Sequence, residues 1–206
     1  MTNNGEPKTL LTFIGHASVK ITAKDGTVLY IDPSYPEYDY KNNPADIILV
    51  THEHDDHLPN PKLKLKDGGL KFTNREALRK GLYGTAEFGS FKIEAVPAAN
   101  SNHGIDCCVG YIVTVDGISL YHAGDTSKLA SMAELKDRNL DYAMFPIDGI
   151  YNMDAVEAAE CAEIIGAKVN IPMHEFDKEG EPRKSDKFNP EGRLVLEYGE
   201  TIVLGE

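Results

Sequence analysis

The chain has no tryptophan and only three cysteines, two of them adjacent at Cys107 and Cys108. No CxxC pair occurs, so neither a disulfide framework nor a thiolate zinc ribbon can be built from them. The thiols read as small buried hydrophobes. No apolar run approaches the roughly 20 residues needed to cross a bilayer. The opening "MTNNGEPKTLL" has no basic start leading into an apolar stretch, so no secretory signal is expected. Cations are scarce: 21 Lys and Arg face 33 Asp and Glu, a formal net charge of -12. That balance repels phosphate backbones and disfavours nucleic acid as a partner. Gly-x-Ser-x-Gly, the elbow of a serine hydrolase, is also absent. The expectation is a cytoplasmic protein with no membrane contact that acts on a small molecule.

What is present is a globular composition, 41% hydrophobic and 26% charged over 206 residues, suited to one domain spanning 1–206. "TLLTFIG" and "ASVKITAKDGTVLYID" read as strands, the latter with a hairpin at Asp25-Gly26. "DIILV" is an unbroken apolar run of strand length, as for a strand buried on both faces. "NREALRKG" predicts a short helix ending at Gly81, and Asp116-Gly117 marks a second hairpin. Beyond residue 125 strand and helix alternate: "SKLASMAELKDR" and "MDAVEAAECAEIIGA" as helices, "DYAMFPI" and "AKVNIPM" as strands. Asp154 caps the second helix, Gly166 stops it, and Ala155, Ala158, Ala162 and Ile165 share its apolar face. "RLVLEYGETIVLG" predicts a closing hairpin, and Phe176 to Gly192 a polar surface loop. Strands first and β-α alternation after give a layered α/β fold.

Seven histidines are present, and three of them fall in "THEHDDH". With Asp56 they spell H-x-H-x-D-H, a pattern chance would give well under about one time in a thousand. A solvated acidic loop and a metal nest are the two readings. Residues i and i+2 beyond a strand point the same way, so His52 and His54 can grip one ion. Asp56 and His57 follow after the backbone has turned and can address a second position. Imidazole and carboxylate donors suit zinc, manganese or iron. One loop cannot close two sites, and His103, Asp125 and His174 each follow an apolar run, as ligands carried to one sheet edge would.

The ordered set "THEHDDH", His103, "HAGDT" and "IPMH", with "IGHAS", "IDP" and "GIYNMDAVEAAECA", resembles the metallo-β-lactamase superfamily. Its short single-domain metal-dependent hydrolases, including ascorbate-6-phosphate lactonase-like proteins, are the nearest branch. The resemblance covers roughly residues 10 to 175. It implies an αββα sandwich of two mixed sheets flanked by helices, with a dinuclear centre at one edge. By position, it implies that His52, His54 and His103 hold one metal and Asp56, His57 and His174 the other. Asp125 would bridge them, and Asp32 would support the ligand loop. No cysteine stands at a ligand position, and His54 occupies the place where diiron relatives carry glutamate, which disfavours redox chemistry.

The expected chemistry is hydrolysis of a small ester, lactone or phosphoester by a metal-bound hydroxide, with one or two divalent ions, zinc first and manganese or iron as alternatives. A phosphodiesterase or nuclease and a non-catalytic metal-binding module are the competing readings. Asp56 and His16 are the candidate catalytic side chains. His16 can instead donate to a carbonyl in the first hairpin, and His122 has a core or ligand-supporting role. Asn100, Tyr151, Asn152 and Met153 are candidate pocket lining. Lys178, Arg183, Lys184 and Lys187 form the one basic cluster near a ligand, interleaved with acids.

Overall fold

Strand alternation builds the first layer. The computed structural model describes residues 5–176 and 182–206. β1 (Leu10–Gly15), β2 (Ser18–Thr22) and β3 (Val28–Ile31) form an antiparallel meander, and β4 (Ala45–Val50) and β5 (Leu65–Thr73) then add in parallel. Because successive side chains point to opposite faces, Leu11, Phe13, Leu29, Ile31, Ile47 and Leu49 enter the core between the sheets. Ile14, Tyr30, Ile48 and Val50 face outward, where Tyr35, Tyr38 and Tyr40 cover them. "DIILV" is therefore buried on both faces, as its unbroken apolar run predicts. The cover on this side comes from residues 34–44, whose one regular element is the 3-10 turn Tyr40–Asn42, with Leu63 added from beyond β4.

The helix expected to run to Gly81 is a single turn, α1 (Asn74–Ala77), capped by Thr73 and Glu76. Lys80 (φ 55°) and Gly81 (φ 76°) turn the chain in the left-handed region, and β6 (Leu78–Arg79) pairs back with β7 (Leu82–Tyr83). Two consecutive positive φ values are what a two-residue hairpin needs, so the turn overrides helix propensity.

The second sheet repeats the plan of the first. β8 (Thr85–Phe88), β9 (Phe91–Pro97), β10 (Val109–Val115) and β11 (Ile118–His122) form the meander; β12 (Tyr142–Pro146) and β13 (Val169–Met173) follow in parallel. Its outer flank carries the predicted helices. The first, Ala130–Arg138, is a 3-10 helix whose buried residues, Met132 and Leu135, are spaced by three, the period of that helix. The second, α2 (Ala155–Ile165), begins with the Asp154 carboxylate accepting from Val156 and Glu157 N–H and ends at Gly166 with φ 69°. The expected αββα sandwich of two mixed sheets is thus present, with a loop in place of a helix over part of the first sheet.

The closing hairpin is replaced by a strap across both sheets. Arg193 bridges Asn170, and the Asn170 N–H and C=O engage Gly192 and Leu194, so this stretch is taken up by the open edge of β13. Seven residues on, β14 (Glu200–Val203) pairs with β1. Further ties join the sheets near one rim: Val109 N–H donates to Thr51 O, and the Tyr111 hydroxyl to the Val50 and Phe72 carbonyls. Among the described residues no helix is long and apolar enough to cross a membrane.

Candidate metal centre

The C-terminal ends of the parallel strands meet at that rim, and all but β5 deliver a histidine or a carboxylate. β3 ends at Asp32, β4 runs into His52 to His57, and β11 leads to Asp125, β12 to Asp148 and β13 to His174. Gly124 makes the turn before Asp125: its φ is 64°, and a Cβ there would lie 2.7 Å from Val109 O. His16, Asp32 and His174 also have positive φ, 56°, 46° and 56°. L-residues hold such backbones only where surrounding contacts enforce them, and they concentrate at functional sites.

Two groups of donor atoms result. The ligand atoms of His52, His54 and His103 all lie within 4.8 Å of one another. His16, Asp56, His57 and His174 form a second such group, and Asp125 stands with His52 and His57 in a third that joins the two. The Asp125 carboxylate lies between the halves, with Oδ2 3.9 Å from His52 Nε2 and Oδ1 3.3 Å from both His57 Nε2 and His174 Nε2.

The hydrogen bonds behind these rings fix which nitrogen faces inward. Thr51 donates its N–H to Asp32 Oδ1 (2.8 Å) and its hydroxyl to Asp32 Oδ2 (2.6 Å). Its hydroxyl proton is thereby used, so His52 Nδ1–H donates to Thr51 Oγ1 at 3.1 Å. His57 Nδ1–H donates to Asp32 Oδ2 at 2.8 Å, and His174 Nδ1 faces Asp148 Oδ2 at 3.2 Å. Nε2 of each ring is buried without a hydrogen bond, as are Asp125 Oδ1 and, despite facing Asp148, His174 Nδ1. Buried polar atoms are normally paired, so four converging unpaired ones are an arrangement suited to a cation.

The same neighbours set the proton affinities of the cation-free protein. Burial pushes His52 down to about 3 and also lowers His103. Burial works against a proton on His57 as well, but Asp32 and then Asp125 outweigh it and lift His57 to about 10. His174, between Asp125 and Asp148, rises to about 9 by the same contest. Burial opposes ionisation of Asp125, yet His174 and His57 hold it well below the usual carboxylate range.

Asp56 is the exposed carboxylate of the group. His16 Nε2 lies 3.2 Å from Asp56 Oδ2, and this bond holds Asp56 well below the usual range. The His16 ring lies on His174, with centroids 3.7 Å apart, and burial lowers its own affinity for a proton. Its backbone carbonyl accepts from His174 N–H, so it braces the rim as well as facing Asp56. His122 does not reach the donor groups. It donates from Nε2 to Ala17 O (2.9 Å) and accepts from Gly124 N–H (3.2 Å), pinning the turn before Asp125 to the first sheet. Glu53 turns away to pair with Arg75.

Asp148 is the residue that sequence reasoning missed. Its Oδ1 accepts from Ile150, Tyr151 and Asn152 N–H, and its Oδ2 takes Asn152 Nδ2 at 2.7 Å while facing His174. It stands behind His174 as Asp32 stands behind His57. The available signal was "FPID", which repeats the strand-end "YID" of Asp32.

The residues expected to line the pocket differ in how far the protein itself engages them. Asn100 Oδ1 accepts from His103 N–H, its Nδ2 donates to Asn152 Oδ1 (2.7 Å), and Asn152 donates onward to Asp148. Both amides are thus engaged in a chain from the His103 loop to the carboxylate behind His174. Met153 is wholly buried in the core, and Tyr151 is about half exposed. In the basic cluster, Lys178 lies outside the described residues. Arg183 pairs with Glu197 and Glu175, and Lys184 donates to Asp148 O. A cleft of about 620 Å³ opens beside His16 and Asp56, with Tyr35, Phe176 and Tyr198 in its walls.

Residues 10–174, most of the chain, match the model of the β-lactamase superfamily domain. The chain belongs to the metallo-β-lactamase superfamily. Within it, a UPF0173 metal-dependent hydrolase from Methanoregula boonei is 33% identical over 182 residues, covering 80% of this chain and 81% of the relative. A second, from Saccharolobus solfataricus, is 31% identical and covers 94% of this chain and 99% of its own. A Parabacteroides distasonis crystal structure, assigned as a metal-dependent hydrolase, superposes with a TM-score of 0.73 at 34% identity and 91% coverage of each chain. Together these place the chain among the metal-dependent hydrolases of the superfamily.

Proposed function

We propose that the protein hydrolyses a small ester, lactone or phosphoester with one or two divalent ions, zinc first and manganese or iron as alternatives. His52, His54 and His103 would hold one ion, Asp56, His57 and His174 the other, with Asp125 shared. The observation that carries this reading is the convergence of the unpaired, buried His52 Nε2, His57 Nε2, His174 Nε2 and Asp125 Oδ1. The donor set of imidazole and carboxylate without thiolate fits these metals. Bound ions of this kind make water acidic enough to attack at neutral pH and polarise the acyl or phosphoryl oxygen.

The chain supplies the rest. Asp32 and Thr51 fix the tautomers of His57 and His52 so that Nε2 faces the centre, and Asp148 lies against the outer nitrogen of His174. Asp56, half-exposed beside the cleft, would accept a hydrogen bond from attacking water and orient it, its basicity reduced by His16 and by an ion that it holds. His16, uncharged at neutral pH, directs the carboxylate through its Nε2–H.

Elemental analysis of the purified protein tests the reading: one or two equivalents of zinc, manganese or iron are expected, lowered in His54→Ala together with turnover. A protein that takes up no divalent ion on reconstitution refutes it.

A further inference from the structure

We propose that the cleft beside the centre selects an uncharged acyl substrate, an ester or lactone bearing a flat apolar group, over any phosphate ester. This rests on the hydrolase reading above and narrows it. Two observations carry it, one of shape and one of charge.

The walls nearest the centre are aromatic. Phe176 packs against the His16 and His174 rings, with centroids 5.2 and 5.4 Å away, so its ring borders the donor cluster. Tyr35 and Tyr198 meet edge to face at 5.3 Å on the cleft wall. Phe176 and Tyr198 remain 39% and 43% exposed. Large aromatic surfaces left accessible in one concave site are what a flat apolar group would cover.

The charge in the cleft is of one sign. Asp55, Asp56 and Glu175 line it, and among the described residues no lysine or arginine does. The cations nearby are engaged: Arg183 on Glu197 at 2.7 Å and 3.8 Å from Glu175, Lys184 on the Asp148 carbonyl. Two divalent ions would carry four positive charges, and Asp32, Asp56, Asp125 and Asp148 offset four. A loaded centre is then near neutral, and Asp55, which makes no ion pair among the described residues, tips the cleft negative. A phosphate ester would bring its own negative charge against these carboxylates, whereas a neutral ester brings none.

The reaction is balanced with water alone. The water oxygen bonds to the acyl carbon and the ester C–O bond breaks. One water proton goes to the leaving oxygen, and the other passes to solvent as the acid ionises.

The metal-reconstituted full-length protein is assayed on 4-nitrophenyl acetate, 4-nitrophenyl benzoate, 4-nitrophenyl phosphate and bis(4-nitrophenyl) phosphate, each rate divided by its uncatalysed rate. Both esters should show the larger enhancement. Phe176→Ala should raise KM for the benzoate about tenfold with kcat kept, the size expected for losing one aromatic contact and its buried area. Enhancement of either phosphate that equals or exceeds the esters overturns the proposal and leaves the hydrolase reading standing. An unchanged benzoate KM in Phe176→Ala also overturns it. Turnover of none of the four by metal-loaded protein removes the hydrolase reading and the proposal with it.

Discussion

His52, His54 and His103 meet as three imidazoles with one carboxylate nearby, Asp125 at 3.9 Å from His52, whereas His57 and His174 each stand between two closer carboxylates. The residue type is the same and its chemistry is opposite. In the first group burial wins, and His52 and His103 present lone pairs with no proton to displace. In the second the carboxylates win, and His57 and His174 keep their protons in the cation-free protein well above neutrality. Neighbouring charge, not residue identity, sets whether an imidazole waits as a base or an acid. At neutral pH the first group should therefore load first, and loading of the second should release protons.

Asp125→Ala breaks this comparison most severely, because its carboxylate faces both groups. Metal content should fall in both, and turnover should drop to background; retention of two equivalents would show that Asp125 is not shared. Asp148→Ala acts on one group, whereas Asp32→Ala also releases the Thr51 hydroxyl behind His52. Each removes the carboxylate behind a second-group histidine and should weaken that ion about 10–100-fold. Competition with a chelating dye should show the His52 group unaffected in Asp148→Ala, and an equal loss at both groups would count against the division. Asn152→Ala should have a smaller effect, since it leaves the Asn100 amide and Asp148 Oδ2 each short of a partner. Stability should fall by about 1–3 kcal/mol in denaturant unfolding, the cost of an unsatisfied buried group. Asn152→Asp, which places a carboxylate against Asp148, should cost more.

The gentlest probe is pH on the chelated protein. His57 and His174 have folded values raised from 6.5 to about 10 and about 9, so their contribution is complete below 6.5 and lost as pH rises through those values. His52 falls to about 3 from 6.5, with His103 and His122 lowered too, so the unfolded chain takes those protons first and stability falls again below 6.5. The thermal midpoint should peak between these limbs, close to pH 6.5. A midpoint that climbs steadily toward pH 10 would contradict the raised values.

"THEHDDH" was legible because its ligands are contiguous and follow a strand buried on both faces. His103, Asp125 and His174 were legible through the apolar runs that deliver them. Asp148 was not, because its meaning depends on β12 lying beside β13, which alone puts the carboxylate behind His174. Asn100 and Asn152 touch across 52 residues of sequence, so loop polarity could not show that the fold joins them as a brace. The same limit applied to local structure. Nothing in "NREALRKG" announced that Lys80-Gly81 would fold back as a hairpin. Nor did "RLVLEYGETIVLG" show that its two ends would be claimed by different sheets.

His16, Asp32 and His174 all hold left-handed backbone torsions that glycine or asparagine would adopt more easily. The rim of the candidate centre is thus kept against a local gradient: at each of these positions a residue without the donor side chain is the more comfortable one. A descendant released from selection on its chemistry should drift to glycine or asparagine there first, becoming easier to fold as it loses its metal. Those three positions would record, in any relative, whether the reaction is still being run.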